Sequence, residues 1–233
     1  MILLFDKRIG ETMDEMIRRF RQEYCVDNKI KVAYAGRLDP LAFGKIIILT
    51  DRDIYDKEKY CGKDKTYTTW IVHGFQTDTY DIMGKITGED NWESFYNGIK
   101  DLEYEQEYPM YSSINVIQDG MRKPLWYYEK NNIKVVNMPS KKVKLISGEK
   151  ILEESISSIE LFRIIKERIE HVKKDTYRQD EIIALWKDKL EENKDYTISK
   201  WRFTITSGGY IRYLANKMNG CCYDIERISY HDT

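Results

Sequence analysis

Hydrophobic positions along this chain switch between a spacing of two and a spacing of three to four, the pattern of a domain that mixes strands and helices. Ile2 to Phe5 reads as a short strand, broken by Gly10. Thr12 and Glu15 offer a capping box for a helix reaching about Tyr24, with Met13, Met16, Ile17, Phe20 and Tyr24 on one face. Ile46 to Leu49, four apolar residues in a row, predicts a strand buried on both faces. Lys65 to Gly74 alternates and is rich in β-formers, so it is another strand. Asn91 to Leu102 has helical spacing through Trp92, Phe95, Ile99 and Leu102. Farther on, Ser157 with Glu160 and Thr176 with Gln179 each offer a cap for an amphipathic helix. The first carries Phe162, Ile165, Ile169 and Val172, the second Ile183, Trp186 and Leu190, and Lys173-Lys174-Asp175 joins them as a helical hairpin. Trp201 to Thr206 alternates as a strand and leads into an apolar helix with Leu214, Ala215 and Met218.

Composition narrows the class. The 233 residues form one large domain or a domain with an insertion, enough for a real core. Apolar residues at 42% and charged ones at 33% describe a soluble chain with an ionised surface. No apolar run approaches the roughly 18 residues of a membrane span, and Met1 to Phe5 lacks the basic head of a signal peptide, so the expected location is intracellular, cytoplasm or nucleus. Cys25, Cys61, Cys221 and Cys222 form no C-x-x-C pair, and His73, His171 and His231 have no ligand spacing; reduced thiols and no metal site are expected. A net charge of −1 weighs against nucleic-acid binding unless the charge is segregated into a basic cleft.

The candidate chemistry centres on Asp39. Gly36 and Gly44 bracket its loop, and Pro40 pushes it away from helical backbone, leaving a carboxylate on a stiff bend at the mouth of a buried strand. That placement suits a nucleophile or general base, and equally a turn residue or helix cap. Asp78 and Asp81 read as polar turn residues, and Tyr67 as one of 18 tyrosines bound for the core. Arg122 and Lys123 among Tyr111, Trp126 and Tyr127 suit phosphate contact and base stacking, or else edge an aromatic core. Arg212 is either a surface residue at a helix start or the permanent cation that an ionised aspartate in a closed pocket needs.

The run Tyr34-Ala35-Gly36-Arg37-Leu38-Asp39-Pro40-Leu41-Ala42-Phe43-Gly44 resembles the catalytic-aspartate motif of pseudouridine synthases. Its Leu-Asp-Pro-Leu-Ala-x-Gly form is most similar to the TruB type, which acts on the T-loop uridine (position 55) of tRNA. Further likenesses follow in order: Lys65-Thr66-Tyr67 with Thr77 to Gly84, Pro109 to Ser113 with Gly120 to Tyr127, Met138 to Leu145, and Ser207 to Arg212. They cover roughly 1–146 and 198–230. The resemblance implies an α+β (mixed α/β) fold with a largely antiparallel sheet flanked by helices. The expected organisation is a single catalytic domain over 1–233, with a helical hairpin inserted at about 151–197 where the resemblance lapses, and without the C-terminal PUA domain common in the family. The resemblance also implies isomerisation of a flipped-out RNA uridine to pseudouridine without cofactor or metal. In that chemistry Asp39 acts on the glycosidic bond, Tyr67 lies on the base and Arg212 orients Asp39. Tyr34, Arg37, Lys65, Tyr111, Arg122, Lys123 and Tyr210 would contact RNA, most naturally a tRNA. The chain departs from the pattern at Arg8, where the family has proline, at Tyr34, where it has histidine, and at Glu226, the match to an apolar pocket residue. Two other classes stay open: a non-catalytic RNA-binding or RNA-folding protein that kept the cleft, and a protein-interaction module working through the 151–197 hairpin.

Overall fold

The computed structural model describes residues 1–89, 98–173 and 177–232. The first half runs β1 (Ile2–Lys7), α1 (Met13–Glu23), β2 (Val32–Ala35), β3 (Ala42–Thr50), α2 (Lys57–Gly62), β4 (Asp64–His73), β5 (Phe75–Thr77), β6 (Ile86–Glu89) and β7 (Gly98–Glu107). The second runs β8 (Asn115–Gln118), β9 (Met121–Pro124), α3 (Leu125–Lys130), β10 (Ser140–Ser157), α4 (Ser158–Glu170), α5 (Gln179–Lys189), β11 (Asp195–Ile205), α6 (Ile211–Lys217) and β12 (Gly220–His231). One sheet dominates, in the order β1-β3-β12-β4-β11-β10-β7, with β2 also paired to β3. Its pairings are antiparallel except for the short parallel contact of β12 with β3. A largely antiparallel sheet flanked by helices is the architecture the sequence led us to expect. No helix among the described residues is long and apolar enough to cross a membrane.

Strand β11 shows how the sheet serves two cores. Successive side chains on a strand point to opposite faces. Trp201, Phe203 and Ile205 face a core closed by Met16 and Phe20 of α1 and by Leu214 and Ala215 of α6. Tyr196 and Ile198 face the opposite way, into a core filled by Leu161, Ile165 and Ile169 of α4 and Ile182 and Trp186 of α5. The helical pair therefore covers one end of one face.

Both predicted caps that fall on described residues form. Thr12 Oγ1 accepts from the Glu15 amide while the Glu15 carboxylate accepts from the Thr12 amide, and Ser157 Oγ accepts from the Glu160 amide. Thr176 lies outside the described residues; α5 starts at Gln179 with Arg178 at the cap position. The pair is shorter than the 151–197 expected for it, because β10 continues to Ser157 and β11 begins at Asp195, paired along their whole ends. On α1, Tyr24 is exposed rather than buried, although its ring stacks on Phe20. Of the helix expected over Asn91 to Leu102, residues 91–97 lie outside the described part; the remainder is not helix but β7, antiparallel to β10.

His73 closes β4 as a buried imidazole between Met218 O (3.3 Å from Nδ1) and Ser199 Oγ (2.5 Å from Nε2). Ser199 Oγ also accepts from Trp201 Nε1–H at 2.9 Å. Neutral His73 fits this chain by donating through Nδ1 and accepting from the Ser199 hydroxyl; a second ring proton would face that hydroxyl. Burial accordingly lowers its pKa from 6.5 to about 4. The unfolded state therefore binds the extra proton between those pH values, and stability falls as pH drops through that window. We expect about 3 kcal/mol from this group between neutral pH and pH 4. Urea midpoints of His73→Gln should vary less with pH than those of the native chain; parallel curves would refute this.

Candidate active site

Strand β3 uses one edge twice. Ala42 to Gly44 run parallel to Ile225–Arg227 of β12, and Ile47 to Thr50 pair antiparallel with β2. The segment carrying Asp39 leaves the sheet where these two partners separate. Gly44 sits inside β3 rather than at the loop end, with φ +99°, and a Cβ there would lie 2.4 Å from the Arg227 carbonyl oxygen. The parallel contact between β3 and β12 requires glycine at that point.

The loop is pinned at both ends by buried cations. Arg227 donates to the carbonyls of Gly36 (3.0 Å) and Arg37 (2.9 Å), to the Tyr67 hydroxyl (3.1 Å) and to the Tyr230 hydroxyl (2.7 Å). Tyr230 in turn donates to Ala35 O at 2.9 Å. On the other side, Lys7 Nζ donates to Pro40 O (3.1 Å), Ala42 O (2.6 Å) and Arg8 O (3.2 Å), and Gly10 N–H to Pro40 O (2.9 Å). Burial lowers the Lys7 pKa to about 8, with the charge of Asp39 working in the opposite direction.

Asp39 itself is about 40% accessible and ion-pairs with Arg212 Nη2 at 2.8 Å. Arg212 is buried in the first turn of α6; its Nη1 reaches Thr79 O (2.6 Å) and the Asp81 carboxylate (3.4 Å), its Nη2 also reaches Tyr111 O (3.4 Å), and its buried Nε makes no hydrogen bond among the described residues. Burial works against its charge, but Asp39 and then Asp81 outweigh it, so Arg212 binds its proton more tightly than a free arginine. Burial raises the Asp81 carboxyl above its usual range against the pull of Arg212.

These groups open on a cavity of about 340 Å³ whose walls include Asp39, Tyr67, Tyr108, Tyr210 and Ile225. Its charged lining is Arg37, Lys65, Arg212 and Arg227 against the one carboxylate of Asp39. The net charge of −1 thus conceals a basic cleft. Burial, and then Arg227, bring Lys65 down to about 8, so it carries its charge at neutral pH. Tyr210 stands edge-on to Tyr108 at 5.3 Å, and Gln106 holds its loop by accepting from Tyr210 N–H (2.7 Å) and donating to Gly208 O (3.1 Å).

Of the residues singled out from sequence, Arg37, Asp39, Lys65, Tyr67, Tyr210 and Arg212 line this cavity. The others do not. Tyr34 belongs to β2, packs on the main core and carries the Lys57 ammonium 5.4 Å over its ring. Tyr111 backs Arg212 through its carbonyl, and its ring is covered by Arg178 at 4.6 Å. Arg122 and Lys123 sit exposed on β9, with Lys123 5.2 Å over Tyr127. The loss expected at Glu226 does not occur: alternation along β12 turns Ile225 into the cavity, while Glu226 accepts from Thr68 Oγ1 at 3.3 Å. Arg227, Lys7 and the ion pair of Asp81 were missed; the Ile225-x-Arg227 alternation was the available signal for the first. Among the described residues no group of three or more His, Cys, Asp or Glu is placed to hold a metal ion.

Arg227→Met would leave four oxygen acceptors without their donor. We expect it to lower stability by about 3 kcal/mol, read as a lower urea midpoint at unchanged slope. A midpoint within error of the native one would refute the clamp.

Residues 21–177 match the model of the family described as TruB family pseudouridylate synthase (N terminal domain). The tRNA pseudouridine synthase B of Mesoplasma florum is 30% identical over 164 residues, 67% of this chain and 55% of that protein. That of Endomicrobium trichonymphae is 24% identical over 217 residues, 93% of this chain and 76% of that protein. That of Aquifex aeolicus is 36% identical over 84 residues, 36% of this chain and 28% of that protein. The chain spans about half the length, or less, of several curated relatives it matches. Among solved structures it aligns with a chain of a Cbf5-Nop10-Gar1 complex at 13% identity and TM-score 0.48, over 98% of this chain and 48% of that one.

Proposed function

Since the chain belongs to the TruB family of pseudouridylate synthases, we propose that it isomerises an RNA uridine to pseudouridine in the Asp39 cavity. The observation that carries this reading is the ion pair of a half-accessible Asp39 with a buried Arg212, 2.8 Å apart, at the wall of a basic, aromatic-lined cavity. The proposed substrate is a tRNA, at its T-loop uridine, in keeping with relatives named tRNA pseudouridine synthase B.

The reaction balances within the nucleotide. The N1–C1′ bond breaks, the base turns, C5–C1′ forms, and C5 gives up its proton while N1 takes one up. In this reading Asp39 acts on the glycosidic bond, kept ionised by a guanidinium that does not deprotonate. Tyr67, with its hydroxyl held by Arg227, packs against the base together with Ile225. The uridine has to leave its stack to reach Asp39, at a cost of a few kcal/mol. Tyr210 and Tyr108 offer faces for stacking, and Arg37 offers charge for a phosphate, while the buried Lys65 ammonium, held by Cys61 O and Lys63 O, adds positive potential to the cavity wall.

The test is tritium release from a C5-tritiated T-loop stem-loop. Release that runs to completion with excess enzyme is the expected result. Tight binding with no release, from this RNA and from uniformly C5-tritiated total tRNA, would count against catalysis and for a synthase fold retired to binding.

A further inference from the structure

Arg178, at the cap of α5 and just past the last residue matched by the family model, links the α4–α5 pair to the catalytic pair. We propose that Arg178 is a positioning residue for Arg212 and Asp39, and that the helical pair braces the turn on which Arg212 leans. This rests on reading Asp39 as the catalytic carboxylate.

Arg212 takes its direction from three acceptors on two chain segments: Thr79 O and the Asp81 carboxylate on the turn between β5 and β6, and Tyr111 O on the loop after β7. Arg178 grips both segments at once. Its fork meets the Asp78 carboxylate with Nη1 at 2.9 Å and Nη2 at 3.2 Å, one residue before Thr79. Its guanidinium carbon lies over the Tyr111 ring, 4.6 Å from the centroid. One guanidinium therefore sets the separation of the carbonyls that aim the other. The rest of α5 reinforces the hold, since Trp186 Nε1–H donates to Ile82 O at 3.1 Å and Glu181 pairs with Lys85 at 2.6 Å. Asp78 closes the turn from within by accepting from Lys85 N–H at 2.8 Å. Next to Arg178, the Tyr177 phenol is raised by burial and then by the charge of Asp39, which places the start of α5 within reach of the site's field.

A planar fork that is bidentate to a carboxylate and also covers a ring is not replaced by an ammonium. Displacing an aimed group by about 1 Å costs on the order of 100-fold in rate. Arg178→Ala should therefore lower single-turnover tritium release by about 30- to 100-fold while leaving RNA affinity within about two-fold. Arg178→Lys, which keeps the charge and disturbs folding less, should recover only part of that loss. Hydrogen exchange supplies a readout independent of activity. The amides of Ile82 and Gly84, bonded to Cys222 O and Asp81 O, should exchange at least about ten-fold faster in both variants, with β1 and β3 unchanged. Unchanged exchange at Ile82 and Gly84 would overturn the brace, and so would a loss confined to RNA affinity, which would make Arg178 a substrate contact. Absence of turnover in the native protein would fail the functional reading instead, and the exchange rates would then decide the brace alone.

Discussion

Asp39→Asn is expected to bind RNA within about two-fold of the native protein and to release tritium at least about 10⁴-fold more slowly. The substitution keeps the shape of the side chain and removes the charge. Little else should change. The Asp39 carboxylate is about 40% accessible, so its pairing with Arg212 adds little to stability. Lys7, Arg227 and Gly10 pin the loop through backbone carbonyls that the mutation leaves in place. Arg212 keeps Asp81, Thr79 O and Tyr111 O as partners. A loss of turnover therefore reports on the carboxylate rather than on a rearranged site. Release assays and filter binding on the same preparations check it. Turnover within ten-fold of the native rate would remove Asp39 from the chemistry.

The part of this site that sequence made legible is the part built by local chemistry. Glycine at Gly36, proline at Pro40 and the apolar run from Ile46 each constrain their immediate neighbours, so a carboxylate on a bent loop before a buried strand could be read directly. Arg212 followed from the electrostatic need of that carboxylate together with a resemblance. Lys7 gave no such signal, and Arg227 only the alternation that sets it on the face of Ile225. Each is one cation on a strand, and what makes it matter is the carbonyls of the Asp39 loop, 33 to 191 residues away in sequence. Asp81 looked like a turn residue and is one; its burial against Arg212 comes from α6.

Three misreadings share a cause: each took position along the chain for position in the fold. Spacing through Trp92, Phe95, Ile99 and Leu102 matched a helix, yet Leu102 to Glu107 also alternates, and pairing with β10 decides for a strand. Leu102 is 44% exposed, as befits the outer strand of the sheet. Glu226 was matched by linear position to an apolar residue. On a strand a shift of one residue exchanges faces, and Ile225 takes the cavity side. The aromatic and basic residues at 111, 122 and 123 were grouped by nearness in sequence, whereas Arg178 claims Tyr111 and the β8–β9 hairpin carries the other two away from the cavity.

Arg212→Met should separate what this arginine does for the fold from what it does for the reaction. Removing it leaves Asp81, 6% exposed, with no cation, and leaves Thr79 O without its 2.6 Å donor. Breaking a buried pair from one side costs about 3–5 kcal/mol, because the remaining charge stays desolvated. Much of that cost should return to the chain in the double variant Arg212→Met/Asp81→Asn. The new amide has no charge to bury, and its oxygen can still accept from Thr79 Oγ1 and the Met83 amide as Asp81 does at 2.6 and 2.9 Å. Turnover should not return, since Asp39 would still lack the guanidinium that orients it. Urea unfolding and tritium release on the two variants give four numbers that discriminate. A double variant recovering both stability and turnover would make Arg212 only the counter-ion of Asp81. One recovering stability alone would assign it to Asp39, and the sharing of one guanidinium between a buried carboxylate and an accessible one would then be how the fold aims its catalytic acid group.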